Sequence, residues 1–309
     1  MPAISVLIPT YNYARYLPEA IDSVLAQDFG DIEIIIADDA STDNSAEVCR
    51  KYATEDSRIR FFRHEKNLGM VENWNWCLRQ ARGTYIKYLL ADDKLAKPYA
   101  LKRLVEALEQ PGVSLSVSAR ILIDESSQVT GIWNPLGLQD RQCNGSRLAL
   151  QCLERNINLI GEPTAVLFRR ADAARGFDST YQQLVDLEMW LYLLQRGDLV
   201  YLHEPLCCFR RHAGQQTEVN RKAGLHLQEL IRLGFYMPAS KARRMWFRWI
   251  HKMHKMRKKG QSEYEETSAL LRRNFSTLSY AYSCLEYMTI RIGENTRHLL
   301  TKLIFRRKK

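Results

Sequence analysis

Two pairs of adjacent carboxylates, Asp38-Asp39 and Asp92-Asp93, each follow an apolar run directly, and another such run ends in Pro9-Thr10-Tyr11-Asn12. Polar residues just beyond apolar runs matter because open α/β sheets bind ligands outside the carboxyl ends of their strands. Four carboxylates gathered there repel one another unless a cation or a ligand's hydrogen-bond donors offset the charge. A divalent metal at one pair and a nucleobase or ribose at the other would supply that offset. An Asp-Asp pair alone is a weak motif, since 15 Asp give about one pair by chance. It is the position of both pairs at strand ends that carries the inference.

The elements that must position these groups alternate at short spacing. Ile4 to Pro9 reads as a buried strand, Leu17, Ile21, Val24 and Leu25 recur at helical spacing, and Ile32 to Ala37 is a second strand. Ser41 or Asp43 can cap a helix through Tyr52. Ile59 to Phe62 is strand-like, Val71, Trp74, Leu78 and Ala81 share a helical face, Tyr85 to Leu90 is a strand, and Pro98 opens a helical stretch to Glu109. Val113 to Ile123 follows as a strand. Such alternation predicts an α/β fold: right-handed crossovers, and a mostly parallel, twisted sheet flanked by helices. From 124 to 160 the pattern weakens, with turns at Ser126-Ser127, Gly131 and Asn134-Pro135 and a helical stretch from Arg147 to Leu159. Ala165 to Phe168, Leu199 to Leu202 and a stretch near Leu206 to Phe209 return to strand, with a helix from Leu184 to Gln195 before the last two.

With 309 residues, 46% of them hydrophobic and 26% charged, the chain can bury a core the size of one large domain or of a catalytic domain with an appendage. A small disulfide or zinc module is excluded. The segment Met1-Pro2-Ala3 has no basic region or cleavage site behind it, and no window approaches 18 uninterrupted apolar residues, so neither export by a signal peptide nor membrane integration is expected. Seven scattered cysteines without a C-x-x-C pair fit a reducing cytoplasm. The net charge of +10 is unevenly placed: residues 220–309 hold 21 Lys and Arg against 6 Asp and Glu, and the remainder is mildly acidic. Beyond about residue 218 long Lys- and Arg-rich helical patterns replace the alternation, which sets the expected boundary between regions 1–218 and 219–309. The P-loop, dinucleotide-fingerprint and G-x-S-x-G motifs are all missing from the sequence.

Taken in order, I-S-V-L-I-P-T-Y-N from Ile4, A-D-D-A-S-T-D-N-S from Ala37, N-L-G from Asn67 with the N-W-N-W after it, A-R-G-T-Y-I-K-Y-L-L-A-D-D from Ala81, G-F-D at Gly176, V-D-L-E-M-W at Val185 and F-R-R-H-A-G-Q-Q-T from Phe209 form a specific series. This series resembles the family 2 nucleotide-sugar glycosyltransferases of the GT-A fold, of the bacterial cell-surface polysaccharide type, across roughly residues 3 to 217.

The resemblance implies that Tyr11 borders the nucleobase and Asp39 accepts its N3–H, with Asp38, Pro9 and Asn12 building the same nucleotide site. It implies that Asp92 contacts the ribose and that Asp93 and His212 hold a Mg²⁺ or Mn²⁺ bridging the diphosphate, ions suited to hard oxygen ligands. The local sequence reads Ala-Asp-Asp-Lys, without a third Asp, so Asp93 needs a helper. Asp186 occupies the family's catalytic-base position, where a carboxylate opening a helix can take the proton of an acceptor hydroxyl during inverting displacement. Glu188, two residues on, cannot share the helical face of Asp186. It and Trp190 are weaker, acceptor-side candidates, and Trp76 and Trp190 also read as core. The weakly patterned 124–160 stretch is expected on the acceptor side. The other six histidines show no paired metal spacing.

In the basic region, Lys241 to Lys259 contains nine Lys and Arg and no acid, with Trp246, Trp249, Ile250, Met253 and Met256 at helical spacing. A cationic helix with such a stripe can lie on an anionic membrane surface, or pack its stripe on the catalytic domain. No recognised nucleic-acid module accompanies the charge, so nucleic acid is not an expected partner. The sequence therefore predicts a cytoplasmic, peripherally membrane-associated, metal-assisted inverting glycosyltransferase. Its donor would be a nucleoside-diphosphate sugar, UDP foremost, and its acceptor a glycan or lipid-linked hydroxyl. The alternatives are a non-catalytic nucleotide-sugar or membrane-binding module and a nucleotidyltransferase.

Overall fold

The computed structural model describes residues 1–212, 214–215, 229 and 232–233. The expectations for the basic region from 219 onward, its membrane-binding stripe included, otherwise lie outside these residues. The described residues through Gln215 belong to a compact unit spanning Met1–Asn220.

The chain opens with β1 (Ile4–Thr10), α1 (Leu17–Leu25), β2 (Ile32–Asp38), α2 (Ser45–Glu55), β3 (Ile59–Arg63), α3 (Met70–Gln80) and β4 (Tyr85–Tyr88). It continues with β5 (Lys94–Leu95), α4 (Ala100–Leu108), β6 (Val113–Ile123), β7 (Val129–Trp133), β8 (Arg141–Cys143), α5 (Gly145–Arg155), β9 (Val166–Arg169), α6 (Val185–Leu193) and β10 (Asp198–Arg210). Every residue of β1 and β2 is buried. That explains why they read as continuous apolar runs rather than alternating ones, as strands covered on both faces do. Around them, α1 buries Leu17, Ala20, Ile21 and Val24 at helical spacing. By contrast α6 buries Val185, Leu187, Met189, Trp190, Leu191 and Leu193, nearly its whole circumference, and so runs through the core.

The strands pair in the order β3-β2-β1-β4-β9-β6-β10-β5, with β7 added to β6 and β8 to β10. The pairs β1–β2, β2–β3, β1–β4 and β6–β10 are parallel, as the alternating pattern predicts. The sheet is nevertheless more mixed than expected, because β9 runs antiparallel to both β4 and β6, and β5, β7 and β8 are antiparallel additions. The cause is the route of the chain. The 3-10 turn Pro163–Ala165 that feeds β9 sits at the mouth of β4, where Thr164 bonds Asp93, so β9 can only run back down the sheet.

Two expected strands, Leu199 to Leu202 and Leu206 to Phe209, are one 13-residue strand, β10, whose register against β6 slips on either side of Pro205. Proline has no amide hydrogen to give the ladder, so a break in register is where it fits. The 124–160 stretch holds the β6–β7 hairpin, whose turn is tied by Asp124 accepting from the amides of Ser126 and Gln128. It then supplies β8 and α5, which Asn144 caps by accepting from Arg147 N.

Candidate active site

The topology itself points to a crevice. From β1 the chain steps outward to β2 and β3, then crosses back to β4 on the other side of β1, so the switch lies between β1 and β4. Ligands of open α/β sheets bind beyond the carboxyl ends of strands at such a point. Here those ends carry Tyr11-Asn12-Tyr13 after β1, Asp39 after β2, and Asp92-Asp93 after β4.

On the β1–β2 side the loops are tied by side chains. Asn12, at φ 59°, accepts from Thr42 N at 2.8 Å, while its own amide donates to Ser41 Oγ at 2.9 Å. Asp38 is buried, accepts from Ser41 N, and pairs with Arg63 Nε at 3.2 Å. Asp39 receives Leu68 N at 2.7 Å on one oxygen and Gly69 N at 2.9 Å on the other, which anchors the N-L-G loop at the start of α3. Each oxygen keeps a second lone pair. Pro9 is buried within β1, and Tyr11 stands 44% exposed at the mouth. The capping expected of Ser41 or Asp43 is local to the turn: Asp43 accepts from Ser45 N, and the helix begins at Ser45.

At the β4 mouth, Asp92 Oδ2 stands 3.0 Å from His212 Nε2. Asp93 turns inward and is 1% exposed, with one oxygen receiving the Thr164 hydroxyl at 2.6 Å and the other Arg210 N at 2.8 Å. Burial first, then the neighbouring Asp92 charge, holds the Asp93 carboxyl well above the usual carboxylate range. The geometry thus departs from the expected division of labour: of the pair, Asp92 faces His212, and Asp93 braces the turn. Arg210 is fully buried and unifies the corner. Its guanidinium donates to Asp92 O, Asp124 O, Ser127 Oγ and Glu19 Oε2, and lies 4.6 Å from the centre of the Tyr16 ring. Burial opposes ionisation of Glu19, but hydrogen bonds from Lys94 and Ser127 and the charges of Lys94 and Arg210 bring its carboxyl down to about 2. Tyr13 lies edge-on to His212, and burial together with the charges of Asp92 and Asp93 raises its hydroxyl above the ordinary tyrosine range.

Asp186 opens α6 half-buried. One of its oxygens receives Leu187 N at 2.8 Å and the other the Asn158 side-chain amide at 3.0 Å. Burial, reinforced by the charge of Glu162 and opposed by that of Arg120, pushes its carboxyl up to about 7. Arg120 is itself buried and pairs with Glu162 at 2.6 Å. The segment 158–164 connects the two chemical centres, because Asn158 bonds Asp186 and Thr164 bonds Asp93.

Two acceptor-side expectations are corrected by burial. Glu188 is 1% exposed, and its carboxylate receives Arg175 at 2.8 Å on both oxygens. Trp190 is fully enclosed, donates its indole N–H to Gly161 O at 2.8 Å, and joins Trp74, Tyr88, Phe168 and Phe177 in an aromatic cluster. Neither presents a group to an acceptor. Trp76 packs against Phe62 and His64 instead. The G-F-D and N-W-N-W motifs are core devices: Phe177 fills that cluster while Asn75 brackets its backbone N–H and C=O. Arg210, Thr164 and Asn158 went unforeseen. Arg210 stands in the F-R-R-H motif two residues before the histidine that drew the attention, whereas neither Thr164 nor Asn158 carries a spacing signal.

The family model described as Glycosyl transferase family 2 matches residues 5–177. An uncharacterised protein of Mycobacterium tuberculosis is 34% identical over 225 residues, 70% of this chain and 69% of the relative. The putative glycosyltransferase EpsE of Bacillus subtilis is 29% identical over 63% of this chain and 68% of its own length. Among solved structures, S. aureus TarS in complex with UDP-GlcNAc superimposes with a TM-score of 0.63 at 16% identity, covering 81% of this chain and 72% of TarS. The mannosyltransferase PcManGT from Pyrobaculum calidifontis, in complex with GDP-Man and Mn²⁺, gives a TM-score of 0.55 at 18% identity, covering 96% of this chain and 87% of its own. With a family match over most of the described unit, the chain belongs to glycosyltransferase family 2 and is a glycosyltransferase.

Proposed function

We propose that the protein transfers a hexose or hexosamine from a UDP-sugar to a hydroxyl of a glycan or lipid-linked acceptor with inversion, Asp186 acting as the general base. The observation that carries this reading is the state of Asp186: a half-buried carboxyl at the start of α6, anchored through both oxygens and raised to about 7. A base is most effective when its proton affinity lies near the working pH. In the reaction the acceptor oxygen forms a bond to the anomeric carbon, its proton passes to Asp186, and the bond from that carbon to the diphosphate breaks with its electron pair. Attack opposite the leaving group inverts the configuration.

The nucleotide would lie across the β1–β4 switch. Tyr11 is exposed to border the base, and the free lone pairs of Asp39 suit the N3–H of uracil. Pro9, Asn12 and Asp38 hold that wall in place. A divalent cation fits the β4 mouth through one carboxylate oxygen and one imidazole nitrogen, Asp92 Oδ2 and His212 Nε2, a donor pair that suits Mn²⁺ and tolerates Mg²⁺. Among the described residues no group of three or more His, Cys, Asp or Glu is placed to hold a metal ion, so an ion held by Asp92 and His212 would need further ligands from outside that set. When bound, such an ion neutralises charge on the departing diphosphate. Among the described residues no helix is long and apolar enough to cross a membrane. The cationic Lys241 to Lys259 stretch supports peripheral attachment at the cytoplasmic membrane face, with 1–218 as catalytic domain and 219–309 as docking region.

The test is a panel of UDP-, GDP- and TDP-sugars with Mn²⁺ or Mg²⁺, read by thermal stabilisation and by release of nucleoside diphosphate. Cation-dependent stabilisation by a UDP-sugar with slow hydrolysis is expected. Stabilisation by no donor would overturn the reading.

A further inference from the structure

The two oxygens of Asp186 are held by unlike partners. Leu187 N belongs to the helix and would be there whatever the loop did. Asn158 belongs to the bend between α5 and β9, where its side-chain oxygen accepts from Ile160 N at 3.1 Å and Gly161 N at 2.9 Å and its amide donates to Gly161 O at 3.2 Å and Asp186 Oδ2 at 3.0 Å. The same Gly161 carbonyl receives the Trp190 indole one turn along α6, so the bend is fastened to the helix twice. Gly161 has φ 135°, and a Cβ there would stand 2.7 Å from the Arg120 guanidinium, so the bend closes directly over the buried Arg120, which pairs with Glu162.

We infer that Asn158 is a positioning residue for the transfer reaction, its amide fixing the rotamer of Asp186 and favouring its ionised form. This rests on Asp186 being the base. An N–H donated to a carboxylate favours the charged state, and its replacement by a second carboxylate would disfavour it. The other charged groups that bear on Asp186, Glu162 before the 3-10 turn and Arg120 on β6, are untouched by a change at 158.

Asn158→Asp separates this role from a merely structural one. It keeps the oxygen that accepts the Ile160 and Gly161 amides, and it replaces the amide that donates to Asp186 Oδ2 and to Gly161 O with a second carboxylate oxygen beside Asp186. Asn158→Ser, which also retains a short acceptor, is the second variant should the first fail to fold. In the full chain labelled with ¹³C at aspartate carboxyls, the Asp186 resonance is identified by its loss in Asp186→Asn, and its titration midpoint is followed. The midpoint is expected to rise by about one pH unit or more in Asn158→Asp, and by less in Asn158→Ser. With UDP-GlcNAc and Mn²⁺, kcat for nucleotide release should fall while the donor KM holds. An unmoved midpoint in a folded variant overturns the inference, whatever its thermal stability. Failure of the underlying reading looks different: Asp186→Asn would then keep turnover, while the midpoint shift at Asn158 would persist.

Discussion

The two sides of the candidate site are built from different parts of the fold. On the β1–β2 side, loops at the ends of neighbouring strands are tied to one another: Asn12 accepts from Thr42 N, Asp38 from Ser41 N, and Asp39 from the amides of Leu68 and Gly69. On the Asp186 side the carboxyl is set by groups that no strand end supplies, Asn158 and Glu162 from the segment before β9 and Arg120 from within β6. The side proposed for the nucleotide is thus a set of strand-end motifs, and the side proposed for the base is a product of packing between other elements. Binding should therefore survive insults that destroy turnover.

The largest expected break in that comparison is Asp186→Asn, which should lower kcat about 10³-fold with donor affinity unchanged, measured by single-turnover transfer and donor titration. Next comes Arg210→Ala. Removing a fully buried guanidinium takes the Arg210 donors from Asp92 O and Asp124 O and one of several from Glu19, and should cost about 3 to 4 kcal/mol, read as a lower denaturation midpoint. Asp92→Ala should leave the fold intact but erase the cation-dependent part of donor stabilisation, about 2.7 kcal/mol for a ligand at a hundred times its Kd. Asn12→Ala sharpens the nucleotide side: it loses the clasp on Thr42 and forces alanine into φ 59°, costing about 1 to 2 kcal/mol, whereas Asn12→Gly should cost less.

Legibility in the sequence followed the same divide. The β1-α1-β2-α2-β3-α3-β4 order could be read because buried strands and amphipathic helices write their periods into consecutive residues. The Asp38-Asp39 and Asp92-Asp93 mouths could be read because strand ends are local. What could not be read was direction and depth. Nothing in Ala165 to Phe168 says that β9 runs antiparallel, since that is decided by where the preceding turn is tethered. Nor does the spacing of Asp92 and Asp93 reveal which faces His212, because the answer comes from Thr164 and the backbone of Arg210, which hold Asp93. Glu188 and Trp190 stood among the acceptor-side candidates because spacing along α6 does not show depth, and α6 is buried around nearly its whole circumference.

Packing holds the Asp186 carboxyl near neutrality, as the proposed base requires, and pH tests this in two ways. Because burial raises its folded-state pKa above the unfolded value, the stability associated with protonated Asp186 is present at low pH and is lost as pH rises toward about 7. Asp186→Asn should accordingly gain thermal stability over wild type above pH 7 and little below pH 4. The most direct measurement is the pH dependence of kcat at saturating donor and cation. Turnover should climb through a single ionisation near pH 7 and level off above it, with that limb missing from the residual activity of Asp186→Asn. A flat profile between pH 5 and 8, or the same limb in the variant, would contradict the assignment of Asp186 as the base.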